Sequence, residues 1–88
     1  MKKITFSPDF KKKLKVLAKK DEKLFFKIHK KLKLFADNSE HPSLRVHKLK
    51  GKLKDTKSLS VTMGFRLIFL EDTKYYFYDM GTHKEVYG

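Results

Sequence analysis

His47, Arg66, His83 and Tyr87 are the residues of this chain whose types could share one chemistry. Histidine carries protons near neutral pH, where no other side chain titrates at its ordinary pKa. Arg66 sits inside Phe65-Arg66-Leu67-Ile68-Phe69-Leu70, and a guanidinium in so apolar a run needs an anion or a carboxylate beside it. That partner is either a structural acid, Asp79 or Glu85, or a bound phosphate. If the four residues share one sheet face, the set suits cleavage of an RNA phosphodiester. One group would deprotonate the ribose 2′-hydroxyl, another would protonate the leaving oxygen, and the arginine would stabilise the phosphorane charge. His83, after Gly81-Thr82 at the end of the last expected strand, is the choice for proton donor, with His47 as the base at the rim. His29 and His41 read as structural. No histidine pair has metal-ligand spacing and the chain has no cysteine, so neither metal nor cofactor is expected.

Three consecutive strands must position these residues. Leu59 and Val61 alternate with Ser60 and Thr62, which predicts one apolar and one hydroxylated face. Phe65–Leu70 and Tyr75–Met80 are rich in aromatic and branched residues, and Glu71-Asp72-Thr73-Lys74 is a polar loop of hairpin length. Met63-Gly64 reads as a tight connection in which Gly64 takes a positive φ.

Upstream, Ile4-Thr5-Phe6 reads as an edge strand and Ser7-Pro8-Asp9 as a helix start. Phe10, Leu14, Leu17 and Ala18 recur at helical spacing, Asp21 can cap a second helix, and Leu24, Phe25, Ile28, Leu32 and Phe35 form its stripe. That helix should end near Asp37, before the turn-rich Asn38–Pro42. The fold class expected is α+β, an N-terminal helical hairpin packed on a small antiparallel sheet. Eighty-eight residues suffice for one domain, 1–88, with one small core.

The net charge of +12 is unevenly placed. Residues 1–56 carry 18 basic and 6 acidic side chains, whereas residues 57–88 carry four of each. Such an excess suits a polyanion, most often nucleic acid, or an acidic protein partner. Arg45, Lys48, Lys50, Lys52 and Lys54 are the candidate nucleic-acid contacts, in a segment too basic for a core strand. No apolar run resembles a leader or a membrane span, and the lack of cysteine suits a reducing cytoplasm, so a cytoplasmic protein without membrane contact is expected.

His47-Lys48-Leu49-Lys50-Gly51, Gly64-Phe65-Arg66-Leu67-Ile68-Phe69 and Gly81-Thr82-His83-Lys84-Glu85-Val86-Tyr87, in that order and spacing, resemble the RelE/YafQ family of toxins from type II toxin–antitoxin systems. The resemblance implies the RelE-like toxin fold, ribosome-dependent cleavage of mRNA, and neutralisation by a cognate antitoxin. It also implies a monomer when free and a hetero-oligomer with that antitoxin. His83 stands where YafQ-like members place a catalytic histidine, Tyr87 where the family has a functional aromatic, Arg66 at the strand arginine, and His47 in the His-x-Leu-x-Gly stretch. Two departures stand out. Ser58, Ser60 and Thr62 replace the usual basic residues of their strand, and Gly64 falls where YafQ-like members carry a catalytic aspartate. Loss of one proton-transfer group lowers a rate by about 10²–10⁴-fold, so a weakened nuclease or a ParE-like gyrase poison is the alternative expectation.

Overall fold

β1 (Ile4–Phe6) leads through one capping residue into α1 (Pro8–Lys20), and α1 through one more into α2 (Glu22–Asp37), in a computed structural model that describes residues 2–49 and 56–87. Ser7 Oγ accepts the Phe10 N–H at 3.0 Å, and Pro8 fills a position whose missing N–H would have no helical partner anyway. Asp21 closes one helix and opens the next. Its N–H donates to the Leu17 carbonyl at 2.8 Å, while its carboxylate accepts the Leu24 N–H at 3.1 Å. The expected hairpin is present, and α2 ends at Asp37 as expected.

A single 3-10 turn, Pro42–Leu44, then leads to β2 (His47–Lys48), β3 (Thr56–Ser60), β4 (Phe65–Glu71), β5 (Tyr75–Thr82) and α3 (His83–Tyr87). The sheet order is β1-β5-β4-β3-β2. From β2 to β5 it is antiparallel, as expected, but β1 joins β5 in parallel, with Ile4 opposite Tyr75 and Phe6 opposite Phe77. A parallel neighbour requires a long crossover, and the helical hairpin supplies it. The sheet is therefore mixed.

The helices cover one face. Phe10, Ile28 and Phe35 are buried there with Leu44, Leu59, Leu67, Phe69, Phe77 and Met80. Phe35 is the centre, edge-on to Phe69, Tyr75 and Phe77 at centroid distances of 5.2, 4.7 and 5.4 Å. Leu14, Leu17, Leu24 and Leu32 flank this cluster, half-buried. Two stripe residues depart from expectation. Ala18 is exposed, and Phe25 lies outside the cluster against Phe26, because each is a step around its helix from the buried row.

The strands also shift slightly. β3 runs from Thr56 to Ser60, and Val61–Gly64 form the connection, with the Val61 N–H donating to the Phe65 carbonyl at 2.9 Å. Gly64 does not adopt a positive φ, and a Cβ there would meet nothing within 4 Å, so the turn places no demand for glycine at this position. In β5, a register shift opposite Ile68 and Phe69 makes Tyr78 an additional residue. Phe77 and Met80, three apart, thereby both reach the core.

Candidate active site

Alternation along the strands separates the core residues from a second face. Leu59, Leu67 and Phe69 point to the helices, so Ser58 and Ser60 on β3 and Arg66 and Ile68 on β4 share the other side. Ser60 lies across from Arg66 on one flank and Gly81 on the other, and two such small neighbours leave room around the half-buried arginine. His47 on β2 lies across from Ser58.

The imidazole of His47 is held at both nitrogens. Nδ1 lies 3.2 Å from the Arg45 carbonyl oxygen, and Nε2 lies 3.3 Å from Ser58 Oγ. A carbonyl only accepts, so Nδ1 carries the proton, and in the neutral ring Nε2 accepts from the Ser58 hydroxyl. Both contacts are long, which leaves Nε2 exchangeable with a substrate hydroxyl. Arg45 is able to reach the ring because it adopts the left-handed region, φ 47° and ψ 48°, immediately after the 3-10 turn. That conformation costs an L-residue roughly 1–2 kcal/mol, and buried Leu44 anchors the turn that imposes it.

These residues border a cleft of about 550 Å³ whose lining includes Arg45, His47, Ser60, Thr62, Met63 and Arg66. Two guanidinium-bearing chains, one imidazole and the hydroxyls of Ser43, Ser60 and Thr62 suit an anion with oxygens to be hydrogen-bonded. Met63 stands 95% exposed among them, an apolar side chain presented to solvent.

His83 and Tyr87 are the first and last residues of α3, which the sequence reading did not anticipate. The helix is fixed by a reciprocal cap. Thr82 Oγ1 accepts the Glu85 N–H at 3.2 Å, and Glu85 Oε1 accepts the Thr82 N–H at 2.7 Å. The Thr82 N–H foremost, and after it the Thr82 hydroxyl, hold the Glu85 carboxyl below the usual glutamate range. A Cβ on Gly81 would come within 3.0 Å of Glu85 Cβ, so the tight strand-to-helix junction requires glycine there. Thr82 lies opposite Phe65, beside Arg66, so α3 begins at the cleft's end of β5. Thr-x-x-Glu is a readable capping signal that was missed.

The two acids considered as partners of Arg66 have other bonds. Asp79 is paired with Lys13 at 2.6 Å, and Glu85 caps α3. Of the candidate nucleic-acid contacts, Arg45 lines the cleft and Lys48 is exposed on β2, while Lys50, Lys52 and Lys54 lie outside the described residues. The contributions of Ser58, Ser60 and Met63 were not foreseen, since a serine in a strand carries no signal of its own. Among the described residues, no three His, Cys, Asp or Glu side chains are grouped to hold a metal, and no helix is long and apolar enough to cross a membrane.

No protein-family model matches the sequence, and no curated protein matches it. Solved structures do. Escherichia coli YafQ in its DinJ–YafQ toxin–antitoxin complex aligns over 99% of this chain and 98% of its own, with a TM-score of 0.80 and 26% identity. This chain has the RelE-like fold of the YafQ and YoeB toxins. YoeB in the YoeB–YefM complex of Staphylococcus aureus aligns over 94% and 98% at TM-score 0.75 and 25% identity. A metal-bound toxin from Helicobacter pylori aligns over 98% and 99% at TM-score 0.72 and 28% identity. Within this fold, Arg45, His47 and Arg66 line the cleft and Ser60 faces Arg66 from β3.

Proposed function

We propose that this chain is the toxin of a type II toxin–antitoxin system and acts as an endoribonuclease on mRNA at the ribosome. The observation that carries the reading is the cleft itself, where Arg45, His47 and Arg66 converge on the face of a YafQ-like sheet that the helices leave open. Cleavage would proceed by attack of the ribose 2′-oxygen on the adjacent phosphorus. His47 takes the 2′-proton through Nε2, displacing Ser58. Arg66 bears the charge that develops on the phosphate oxygens. His83, at the start of α3, returns a proton to the departing 5′-oxygen, leaving a 2′,3′-cyclic phosphate. Tyr87, one turn further on, orients the phosphate or stacks on a base. The lysine excess of the first 56 residues would hold ribosomal RNA through phosphates rather than through base edges.

The neighbours solved as DinJ–YafQ and YoeB–YefM complexes support a cognate antitoxin as partner. A monomer when free, a hetero-oligomer with that antitoxin and a cytoplasmic site of action fit this reading. A second reading rests on Ser58, Ser60 and Gly64, which stand where relatives of the nuclease type carry basic or catalytic groups. It makes the chain a ParE-like gyrase poison. A translation extract separates the two. mRNA cut at ribosomal positions supports the nuclease, whereas intact mRNA together with gyrase-trapped DNA breaks overturns it.

A further inference from the structure

β5 carries two kinds of aromatic residue. Tyr75 and Phe77 pack with Phe35 and Phe69 beneath the helices. Tyr76 and Tyr78 lie on the other face, with ring centroids 6.4 Å apart and planes within 18° of parallel. Tyr76 is 38% exposed and neither ring belongs to the core cluster. Tyr76 lies opposite Leu70, four residues along β4 from Arg66 and on the same face. At about 3.4 Å per residue, Tyr76 stands about 14 Å along the strand from the arginine that lines the cleft, and Tyr78, opposite Ile68 and Phe69, stands nearer.

The charge around the rings is favourable to a polyanion. Tyr76 is flanked by β1, where Thr5 is its partner and exposed Lys3 accepts the Tyr75 N–H through its carbonyl at 2.8 Å. Lys74, also exposed, ends the hairpin loop two residues before Tyr76. The nearby acids are largely neutralised. Asp79 is paired with Lys13, and Glu71 with both Lys2 and Lys57, while Asp72 is at the tip of the hairpin. Parallel aromatic rings, here Tyr76 exposed and Tyr78 half-buried, beside lysines are what single-stranded nucleic acid uses, because every base has a π-face and every linkage a phosphate.

We infer that Tyr76 and Tyr78 form a base-stacking platform for single-stranded RNA that continues into the Arg66 cleft. This rests on the proposed nuclease reading and adds a contact for nucleotides flanking the cut. The bases stack on the rings, Lys3 and Lys74 hold the intervening phosphates, and the strand reaches Arg66 along one continuous face.

The test uses the whole chain and a short oligoribonucleotide, 2′-O-methylated to prevent cleavage and carrying 2-aminopurine as a fluorescent base. Binding to the wild-type protein should quench the probe. Tyr76→Leu and Tyr78→Leu, which keep an apolar side chain on the strand, should weaken binding roughly tenfold each with the salt dependence unchanged. Lys74→Ala should instead reduce the slope of affinity against salt. Quenching and affinity that are the same in both leucine variants, or a wild-type protein that fails to bind the oligonucleotide, overturn the platform. Ribosomal mRNA cleavage by the wild type alongside such a result would leave the nuclease reading standing. Tyrosine-dependent RNA binding without cleavage would uphold the platform and count against the nuclease.

Discussion

β4 presents Leu67 and Phe69 to the helices and Arg66 to the opposite side, so neighbouring residues of one strand meet opposite demands. On the covered face, three aromatic rings interlock around Phe35 and close contacts decide stability. On the second face, strand positions are filled by Ser58, Ser60, Arg66 and the tyrosines of β5. Ser58 and Ile68 are buried on this face too, while the arginine and the tyrosines stay partly exposed. The comparison teaches that period-two alternation does more than build a sheet here. It lets one half of each strand pay for the fold while the other half is free to bind.

The largest effect expected is on the covered face. Phe35→Ala removes a ring with only 2% exposure and should cost about 3–5 kcal/mol in urea unfolding, whereas Phe26→Ala, at 57% exposure, should change stability by under about 0.5 kcal/mol. Equal effects would erase the distinction between the helix row that faces the sheet and the row that does not.

Next in size is a substitution at the site. His83→Ala should lower mRNA cleavage on the ribosome by at least about 10²-fold while leaving antitoxin binding and the circular dichroism spectrum intact. Growth arrest undiminished in this variant, with no mRNA cleavage by either protein, would assign toxicity to another target.

A smaller change tests how the imidazole is held. Ser58→Ala removes the hydroxyl that meets His47 Nε2 and leaves the Arg45 carbonyl in place. Nitrogen chemical shifts of His47 should still report the proton on Nδ1, and cleavage should fall about five- to tenfold, the worth of one modest hydrogen bond. Ser58→Thr keeps the hydroxyl and should restore most of the rate. A tautomer reversed in Ser58→Ala would mean that the serine, not the carbonyl, fixes the ring.

The smallest effect concerns acid stability. Glu71 ties β3 to the segment before β1 through Lys57 at 2.5 Å and Lys2 at 2.9 Å, and these bonds, Lys57 first, lower its pKa from 4.5. A depressed carboxylate contributes stability that is present above its unfolded value and is lost as pH falls through the folded one. Glu71→Gln should therefore flatten the loss of stability below about pH 4.5, and an unchanged acid limb would show that the bridge contributes nothing.

Much of this was legible because local chemistry and tertiary packing agreed. Ser7, Pro8 and Asp21 cap the helices as their types demand, and Arg66 stood out as a cation in an apolar strand. The parallel placement of β1 was not legible, since Ile4-Thr5-Phe6 says nothing about which edge it joins. Gly64 misled because a glycine near a hairpin is a turn signal even where the backbone does not need one. The left-handed Arg45 could not be read at all, because its conformation is imposed by the buried Leu44 and the turn before it. The serines of β3 acquire meaning only from the residues across the ladder.

The division between the two faces meets its most direct test in Arg66→Gln. Cleavage of mRNA in ribosome complexes and the thermal unfolding midpoint would be measured on the same preparations of variant and wild type. Cleavage should fall by at least about 10²-fold while the midpoint moves by less than about 5 °C. Cleavage within twofold of the wild type, or a loss explained by unfolding, would contradict the assignment of the second face to catalysis.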